Sequence, residues 1–166
     1  MKYKDRANIH LILIIVFVVI LTFVSYKRNM IWKNELTLWE DVVKKSPNKA
    51  RGYNNRGVAY ADNDQYERAI NDFNKAISIS PNDAKAYNNR GRVYDHVGEY
   101  NLAFNDYKMA ISISPTYAEA YYNRGLISLY KDKYDDAFSD LQTSCDLGYK
   151  VGCEFLQVLR QQLLKR

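Results

Sequence analysis

The 166-residue sequence has few of the residues from which enzymatic sites are usually built. It contains two histidines and two cysteines, and His10 and His96 lie far apart in the chain. Zinc sites need clusters of such residues, and a Ser-His-Asp triad needs a histidine beside its nucleophile. The sequence also lacks a glycine-rich phosphate loop, a nucleophile elbow and any metal-ligand spacing. We therefore expect a protein that is not an enzyme and that holds neither a cofactor nor a metal.

An excess of positive charge is missing from most of the chain. The net charge is +5, of which residues 1–28 carry +4 and residues 29–166 carry +1. Proteins that bind nucleic acids need cations clustered on their folded part, because these neutralise the phosphates. The nearly neutral remainder therefore argues against nucleic acid as a partner.

The sequence does contain one long apolar run, from Ala7 to Tyr26, in which no side chain is formally charged. A helix of this length spans roughly 30 Å, the thickness of a bilayer's hydrocarbon core. The run is apolar on every face, which excludes an amphipathic helix of a soluble domain. Residues 7–26 are therefore predicted to cross a membrane once. Cleavage as a signal peptide is the alternative, although Phe23-Val24-Ser25 does not provide the small residues of a cleavage site.

Charges on both sides of this segment bear on its orientation. Lys2, Lys4 and Arg6 favour a cytoplasmic amino terminus, and Lys27 and Arg28 on the other side weaken the contrast. Both an anchor and a signal peptide would export the rest of the chain. We therefore expect the residues after the span to be extracytoplasmic, in a periplasm or a lumen.

A single repeat period, of about 34 residues, runs through the rest of the sequence. All three prolines follow it, as do tyrosines, glycines and alanines at matching positions: Pro47, Pro81 and Pro115; Tyr53, Tyr87 and Tyr121; Gly57, Gly91 and Gly125; Ala69, Ala103 and Ala137. This pattern, from Ala50 to about Tyr149, resembles the tetratricopeptide repeat (TPR). The resemblance implies an all-α fold in which pairs of short helices stack into a solenoid, because one pair alone buries too little apolar surface.

The repeat register divides the chain into four parts. Residues 1–28 are the cytoplasmic flank and anchor, and residues 29–46 are a linker and half-repeat, because Trp39 lies one period before Phe73. Residues 47–149 contain three repeats, at about 50–83, 84–117 and 118–149. Residues 150–166 form a capping helix, since Phe155 lies one period after Tyr121. The expected fold is thus a transmembrane helix followed by an all-α solenoid.

The segment before the repeats has a resemblance of its own. Arg28-Asn29, Trp32 and Leu38-Trp39-Glu40 resemble the segment after the last membrane helix of polytopic glycosyltransferase-like proteins with extracytoplasmic TPRs. The resemblance covers only this short stretch of the chain and implies export. It does not include the catalytic membrane domain of those proteins.

Arginine and aspartate recur at a fixed distance from each other. Arg56, Arg90 and Arg124 are followed, each at the same spacing, by Asp72, Asp106 and Asp140. We expect one ion pair across each helix hairpin, half-buried and structural. The alternative is a row of arginines that binds an anion.

Asparagines also recur, on the helix face that lines the concave groove in TPR proteins. Their amides offer donors and an acceptor to the backbone of an extended peptide, or they stabilise the packing between repeats, and both interpretations stay open. The groove prediction comprises Arg51, Asn54, Asn55, Lys85, Asn88, Asn89, Arg92, His96, Tyr122, Asn123, Leu126 and Tyr130, with Asp95 beside them.

These side chains are mixed in sign and partly aromatic, which suits a protein or peptide segment as the partner. The carboxylate clamp of chaperone-binding TPRs uses lysines and arginines at set groove positions. Here the corresponding positions hold Asn54, Val58 and Glu119, and only Asn89 and Asn123 match. The resemblance therefore argues against recognition of a chaperone's carboxyl terminus.

Cys145 and Cys153 lie close together in the sequence, on either side of Leu147-Gly148. This pattern resembles Sel1-like repeats, whose cysteines are disulfide-bonded between consecutive helices, and the resemblance implies a Cys145–Cys153 disulfide. A short turn can bring the two Cα atoms within the required distance. Two reduced core cysteines are the alternative.

Two functions fit these observations. The first is a non-enzymatic, membrane-anchored TPR scaffold that binds other proteins through its groove. The second is an accessory or separated substrate-docking part of a membrane glycosyltransferase-like complex, with the chemistry on another chain. Because the TPR fold serves many functions, the fold itself does not choose between them.

Overall fold

The structure is a computed structural model that describes residues 35–163, with side chains up to Gln161. This part of the chain is entirely helical outside its turns. Its eight helices are α1 Glu35–Lys45, α2 Ala50–Ala61, α3 Tyr66–Ile79, α4 Ala84–His96, α5 Tyr100–Ile113, α6 Ala118–Tyr130, α7 Tyr134–Asp146 and α8 Lys150–Leu163. The all-α solenoid predicted from the repeat period is thereby confirmed for residues 35–163.

The predicted membrane span, residues 7–26, lies outside the described residues, as do the amino-terminal part of the linker and the last three residues. Within residues 35–163, no helix combines the length and the apolar character needed to cross a bilayer.

The helices pack as consecutive antiparallel neighbours. The hairpins α2–α3, α4–α5 and α6–α7 have the most extensive contacts, and each hairpin also packs on the next. Helix α1 covers one end by packing on α2, and α8 covers the other end by packing on α7. The first helices of successive repeats also touch each other, α2 with α4 and α4 with α6. These three helices therefore share one surface of the solenoid, which we refer to as the concave groove.

Proline and an aspartate cap define the junction between repeats. Helix α3 ends at Ile79, and Ser80, with φ of −132° and ψ of 85°, has left the helical region, which the following Pro81 disfavours. The next helix starts after Asp83, whose carboxylate accepts hydrogen bonds from the backbone N–H groups of Lys85 and Ala86 at 3.1 and 3.3 Å.

The turn inside each hairpin needs a left-handed residue. Asp64, Gly98 and Asp132, which are spaced by one repeat period, have φ angles of +57°, +83° and +57°. Glycine adopts this conformation without strain, and aspartate tolerates it better than most residues. The same turn geometry is thus repeated in all three hairpins with two different residue types.

Small residues let the two helices of each hairpin come close together. A Cβ atom on Gly57 would lie 2.8 Å from Cε1 of Phe73, and one on Gly91 would lie 2.7 Å from Cε1 of Tyr107. Ala69, Ala103 and Ala137 are completely buried at the same contacts. The glycine and alanine positions therefore let a buried side chain, a ring in the first two hairpins and Leu141 in the third, lie against the helix backbone.

Candidate peptide-binding groove

An ion pair joins the two helices of each hairpin. The Arg56 guanidinium donates two hydrogen bonds to Asp72 at 2.6 and 2.8 Å, and the two later hairpins contain the same arrangement. The fork geometry is bidentate in all three pairs, Arg56–Asp72, Arg90–Asp106 and Arg124–Asp140.

The arginines of these ion pairs have a structural role. The pKa of each arginine is raised, chiefly by its hydrogen bonds to the aspartate, while burial acts in the opposite direction. The aspartate side chains are only 7 to 9% exposed. An anion approaching these guanidinium groups would meet their carboxylates, so the arrangement does not favour the anion-binding alternative.

The recurring asparagines connect successive repeats. Asn89 Nδ2 donates to Asn54 Oδ1 at 3.1 Å, and Asn123 Nδ2 donates to Asn88 Oδ1 at 3.1 Å. Asn54 also donates to Asn55 at 3.4 Å. These hydrogen bonds show that the asparagines stabilise the packing between successive repeats.

The prediction that Asn88 lines an accessible groove is wrong. Its side chain is 0% exposed, and Asn54 is only 8% exposed. Asn88 also makes a second hydrogen bond, in which its Nδ2 donates to Glu119 Oε1 at 3.3 Å. A buried amide must find partners within the protein, and Asn88 finds them on the next repeat. Of the adjacent pair Asn88 and Asn89, the first therefore turns inward and the second lines the groove cavity.

The main cavity of the groove lies where α2 and α4 meet. Its volume is about 500 Å³. Four of the predicted groove residues line it, namely Asn89, Arg92, His96 and Asn123, together with Asp95. Its floor includes the buried rings of Phe73 and Tyr107.

The other predicted groove residues lie outside this cavity. Arg51 and Lys85 are exposed near the starts of α2 and α4. Tyr122 packs against Tyr149 in a tilted arrangement and edge-on against Phe155, at centroid distances of 5.4 and 6.0 Å. Tyr130 stacks on Tyr100 at 4.1 Å and stays 65% exposed. Asn55 and Leu126 are half-buried on α2 and α6.

Sequence reasoning missed one wall of the cavity, which comes from the turn after α2. Asp62, Asp64 and Tyr66 line this side. The Tyr66 hydroxyl donates to Asp64, so its oxygen is left to accept from Nε2 of His96 at 2.7 Å. The tyrosine and histidine rings also stack, with centroids 4.7 Å apart. The repeat register offered a signal, because the Tyr66–His96 pair is equivalent to Tyr100–Tyr130.

Carboxylates outnumber cations around this cavity. Asp62, Asp64 and Asp95 line it, against Arg92 and His96. Burial raises the pKa of Asp95, and the neighbouring His96 opposes that shift. Arg92 lies 3.9 Å from Glu119, which offsets part of its charge. The cavity is thus a mainly acidic surface with amides at its centre.

The two cysteines are bonded to each other. Cys145 in the last turn of α7 and Cys153 in the first turns of α8 form a disulfide with a Cα–Cα distance of 4.6 Å. Gly148, with φ of +85°, makes the turn between the two helices. The disulfide ties the terminal helix to the last repeat. No cluster of potential metal ligands occurs in residues 35–163.

Comparisons with known proteins agree with the helical architecture. Residues 50–83 and residues 73–104 each match a family model for the tetratricopeptide repeat, and residues 97–132 match a TPR repeat model. No curated protein matches the chain in sequence.

Three solved structures illustrate the similarity of fold. The crystal structure of MamA is 22% identical, covers 75% of this chain and 72% of that chain, and superposes with a TM-score of 0.64. The Arabidopsis OM64 TPR domain is 23% identical, with coverages of 68% and 95% and a TM-score of 0.64.

The second TPR of Spaghetti (RPAP3), bound to the HSP90 peptide SRMEEVD, is 27% identical, with coverages of 60% and 92% and a TM-score of 0.58. The helix pairs, the repeat period of the sequence and the family models agree on one conclusion. The chain contains tetratricopeptide repeats, stacked as a solenoid.

Proposed function

We propose that this protein is a non-enzymatic scaffold, anchored in a membrane, that binds an extended protein segment in its concave groove. The observation that carries the proposal is the cavity of about 500 Å³ where α2 and α4 meet, with groove-facing amides and charges of both signs. TPR proteins generally mediate protein–protein interactions, and the 27% identical TPR of Spaghetti is bound to a peptide.

The two groove asparagines are suited to a peptide backbone. Asn89 and Asn123 each use one N–H to hold the preceding repeat. An amide group has a second N–H and a carbonyl oxygen, which are left for the N–H and C=O groups of a peptide. Since the inter-repeat bond fixes the amide's orientation, little conformational entropy is lost when the peptide binds.

The charges favour a segment that contains lysine or arginine. Asp62, Asp64 and Asp95 lie on two walls of the cavity, and a cation placed between them would be attracted by all three. The peptide bound by the Spaghetti TPR, SRMEEVD, is rich in acidic residues. The groove chemistry here therefore supports a different partner, of opposite charge.

The membrane anchor and the compartment belong to the same proposal. Residues 7–26 have the length and apolar character of a single span. A disulfide is stable in an oxidising compartment, and the Cys145–Cys153 bond is therefore in line with an extracytoplasmic location of the repeats.

Peptide display tests the binding proposal. Full-length protein in detergent is panned against random dodecapeptides, and enriched sequences are synthesised and measured by fluorescence anisotropy. We expect enriched peptides to carry a lysine or arginine, and Asp62→Asn/Asp95→Asn to weaken their binding at least tenfold. Each neutralised carboxylate removes an attraction for the cation, and the half-buried Asp95 should contribute more than the exposed Asp62.

Lys75 and Lys108 provide the matched control. They are exposed on the second helices α3 and α5 and do not line the cavity, so Lys75→Gln/Lys108→Gln should leave the affinity within twofold. Equal affinity in the aspartate variant and the lysine variant would contradict the groove assignment. Acidic peptides among the enriched sequences would contradict the charge argument alone. A bound segment from a polytopic membrane enzyme would favour the glycosyltransferase-associated alternative.

A further inference from the structure

The capping helix α8 does not continue the array in the register of the repeat period. The asparagine contacts between successive first helices each span 35 residues of sequence. The ring contact between α8 and α6, Phe155 with Tyr122 at a centroid distance of 6.0 Å, spans two residues fewer. Likewise, the hydrogen bond from α2 to α1 spans 20 residues, and the one from Arg160 of α8 to Gln142 of α7 spans 18. Helix α8 is therefore displaced by two residues, because α7 ends one residue earlier and the turn after it is one residue shorter.

This displacement places an apolar face of α8 along the concave groove. The α8 residues at the groove-facing positions are Val151, Phe155 and Val158. The residues at the same positions of the other first helices are mostly charged or amide-bearing: Arg51, Asn55 and Val58 in α2; Lys85, Asn89 and Arg92 in α4; Glu119, Asn123 and Leu126 in α6. The groove is therefore polar over α2 and α4 and becomes apolar at α8.

Both valines of this face are largely exposed, Val151 by 46% and Val158 by 51%. Their position at the end of the described array does not by itself explain this exposure. The outer face of α8, where the second helix of a further hairpin would pack, carries the exposed Gln157 at the position equivalent to Gly125. A terminal helix needs such a polar outer face for solubility. The exposed valines therefore lie on the groove face and not on the outer face.

Aromatic rings replace the amides where α6 meets α8. Tyr122 contacts Phe155 edge-on and packs against Tyr149. Val151 and Val158 are two helical turns apart, which is about 10 Å along the axis, and neighbouring helix axes lie about 8–10 Å apart. An apolar surface of this size accommodates one or two bulky side chains. We refer to Tyr122, Val151, Phe155 and Val158 together as the α8 surface.

We infer that the α8 surface binds bulky apolar side chains of the same protein segment whose lysine or arginine enters the acidic cavity. This inference rests on the proposed function, because the α8 surface and the cavity belong to one continuous groove. Two spacings between first helices, about 20 Å, separate them, and an extended chain covers that distance in about six residues. The partner segment thus has a cationic residue and a bulky apolar residue about six positions apart.

Burial of the exposed valines supplies the driving force at this end of the groove. A leucine or phenylalanine side chain that covers them removes apolar surface from water on both partners. An acidic segment is disfavoured along the whole path, because Asp62, Asp64 and Asp95 line the cavity and the exposed Glu154 lies on α8. The groove therefore selects by charge at one end and by apolar contact at the other.

The test uses fluorescent dodecapeptides of glycine and serine, with full-length protein in phosphatidylcholine nanodiscs, which keep detergent off the α8 surface. The first peptide has a single lysine near one end. The second adds Leu-Phe six positions from the lysine, and the third adds Leu-Phe two positions from it. Each is also made in reversed order, because the groove does not fix the direction of the peptide. Empty nanodiscs measure binding to lipid.

We expect the six-position peptide to bind at least tenfold more tightly than the lysine peptide in one of its two directions, since burial of one large apolar side chain has an effect of this size. The two-position peptide is too short to reach both sites, so its affinity should stay within threefold of the lysine peptide. Fluorescence anisotropy measures all the affinities.

Val151→Ser/Val158→Ser should abolish this gain and leave the affinity of the lysine peptide unchanged. Leu102→Ser/Met109→Ser is the matched control, because these residues have the same spacing on α5, outside the groove, and are 44% and 43% exposed. The control should leave every affinity within twofold of wild type. A measurement on the wild type needs no variant: photo-leucine in place of the leucine of the six-position peptide should crosslink to α8.

The outcomes separate this inference from the proposed function. Equal affinities for the lysine and six-position peptides, both weakened by Asp62→Asn/Asp95→Asn, would overturn the inference and leave peptide binding by the groove intact. Absence of binding by every peptide at millimolar concentration would contradict both. Crosslinks that avoid α8, or equal losses in the valine and α5 variants, would also overturn the inference. A dimer in sedimentation velocity that the valine variant alone dissociates would assign the α8 surface to a second copy of the chain instead.

Discussion

The second repeat, residues 84–117, and the third, residues 118–149, have the same helix pair but are stabilised differently. The second fills its interior with rings, Tyr94 and the fully buried Tyr107. The third has Ser128 and Leu141 at those positions, and a disulfide bonds its second helix to the capping helix. Both repeats have the arginine–aspartate pair, the buried alanine and the glycine.

The shared features hold the two helices of a hairpin in place, and the differing ones determine how tightly the hairpin packs. Volume lost from one repeat of a solenoid is not made up by distant repeats, because each repeat contacts only its neighbours. The disulfide is positioned to offset this loss, since it bonds the second helix of the third repeat to the helix that packs on it. Four measurements can sharpen or break this comparison.

Removing an aspartate from the shared ion pair should have the largest effect. Asp106→Ala leaves Arg90 half-buried and without its bidentate partner, which should lower the free energy of unfolding by about 3 kcal/mol. Asp140→Ala should cost less, because the Asp136 carboxylate also interacts with Arg124, whereas the second repeat has Leu102 at that position. Urea denaturation of both variants measures the difference. An equal loss, or a larger loss for Asp140→Ala, would show that Asp136 does not compensate Arg124 for the lost partner.

Loss of the disulfide should have the second largest effect on stability. The short loop that it closes contributes about 2.5 kcal/mol through the entropy of the unfolded chain. Changing Cys145 and Cys153 to serine should therefore speed hydrogen exchange in α7 and α8 strongly, and leave α4 and α5 nearly unchanged. The reduced wild type serves as the control and should behave like the variant. Uniform acceleration over all helices would show that the third repeat is not the weaker unit.

Substitutions of the repeated glycine should also destabilise the second repeat more than the third, by a smaller difference. A Cβ on Gly91 would lie 2.7 Å from the Tyr107 ring, and one on Gly125 would lie 3.2 Å from Leu141 Cγ. Gly91→Ala should cost about 2 kcal/mol because the buried ring cannot move aside. Gly125→Ala should cost less than about 1 kcal/mol, partly offset by the better helix propensity of alanine. Thermal unfolding compares them, and similar losses would mean that ring packing does not distinguish the repeats.

Much of this architecture could be predicted from the sequence because it follows from periodicity. Prolines, glycines and alanines that recur at one fixed period indicate helix ends and close helix contacts. The constant step from Arg56 to Asp72, repeated in the two later hairpins, predicted a contact that the structure contains. Such features depend on residue type and register, and both can be read from a single chain.

The details of the site could not be read in the same way. Adjacent residues on a helix differ by about 100° in direction, so Asn88 and Asn89 face different surroundings, and the sequence does not say which is buried. Whether Phe104 takes up the volume that the third repeat loses at Ser128 depends on packing. The contact between Tyr66 and His96 depends on the angle between repeats. Each of these needs coordinates in three dimensions.

The smallest effect concerns a carboxylate that the second repeat has and the third lacks. Asp95 is half-buried at the groove and corresponds to Leu129. Burial raises the pKa of Asp95 in the folded protein, against the opposing charge of His96. Between the unfolded and folded pKa values, the folded state binds more protons than the unfolded chain, so this group makes stability fall as pH rises. At pH values above the pKa of Asp95 in the folded protein, the full loss of stability caused by its buried charge is present.

Asp95→Asn should remove that contribution. The variant should gain a little stability at neutral pH relative to wild type and lose the advantage below the ordinary pKa of an aspartate, where both side chains are neutral. Urea titrations from pH 3.5 to pH 7 compare the two proteins, with Asp62→Asn as the control, since Asp62 is exposed at the same cavity. If Asp95→Asn were less stable than wild type at neutral pH, the carboxylate would be a stabilising contact of the second repeat and not a cost of its groove.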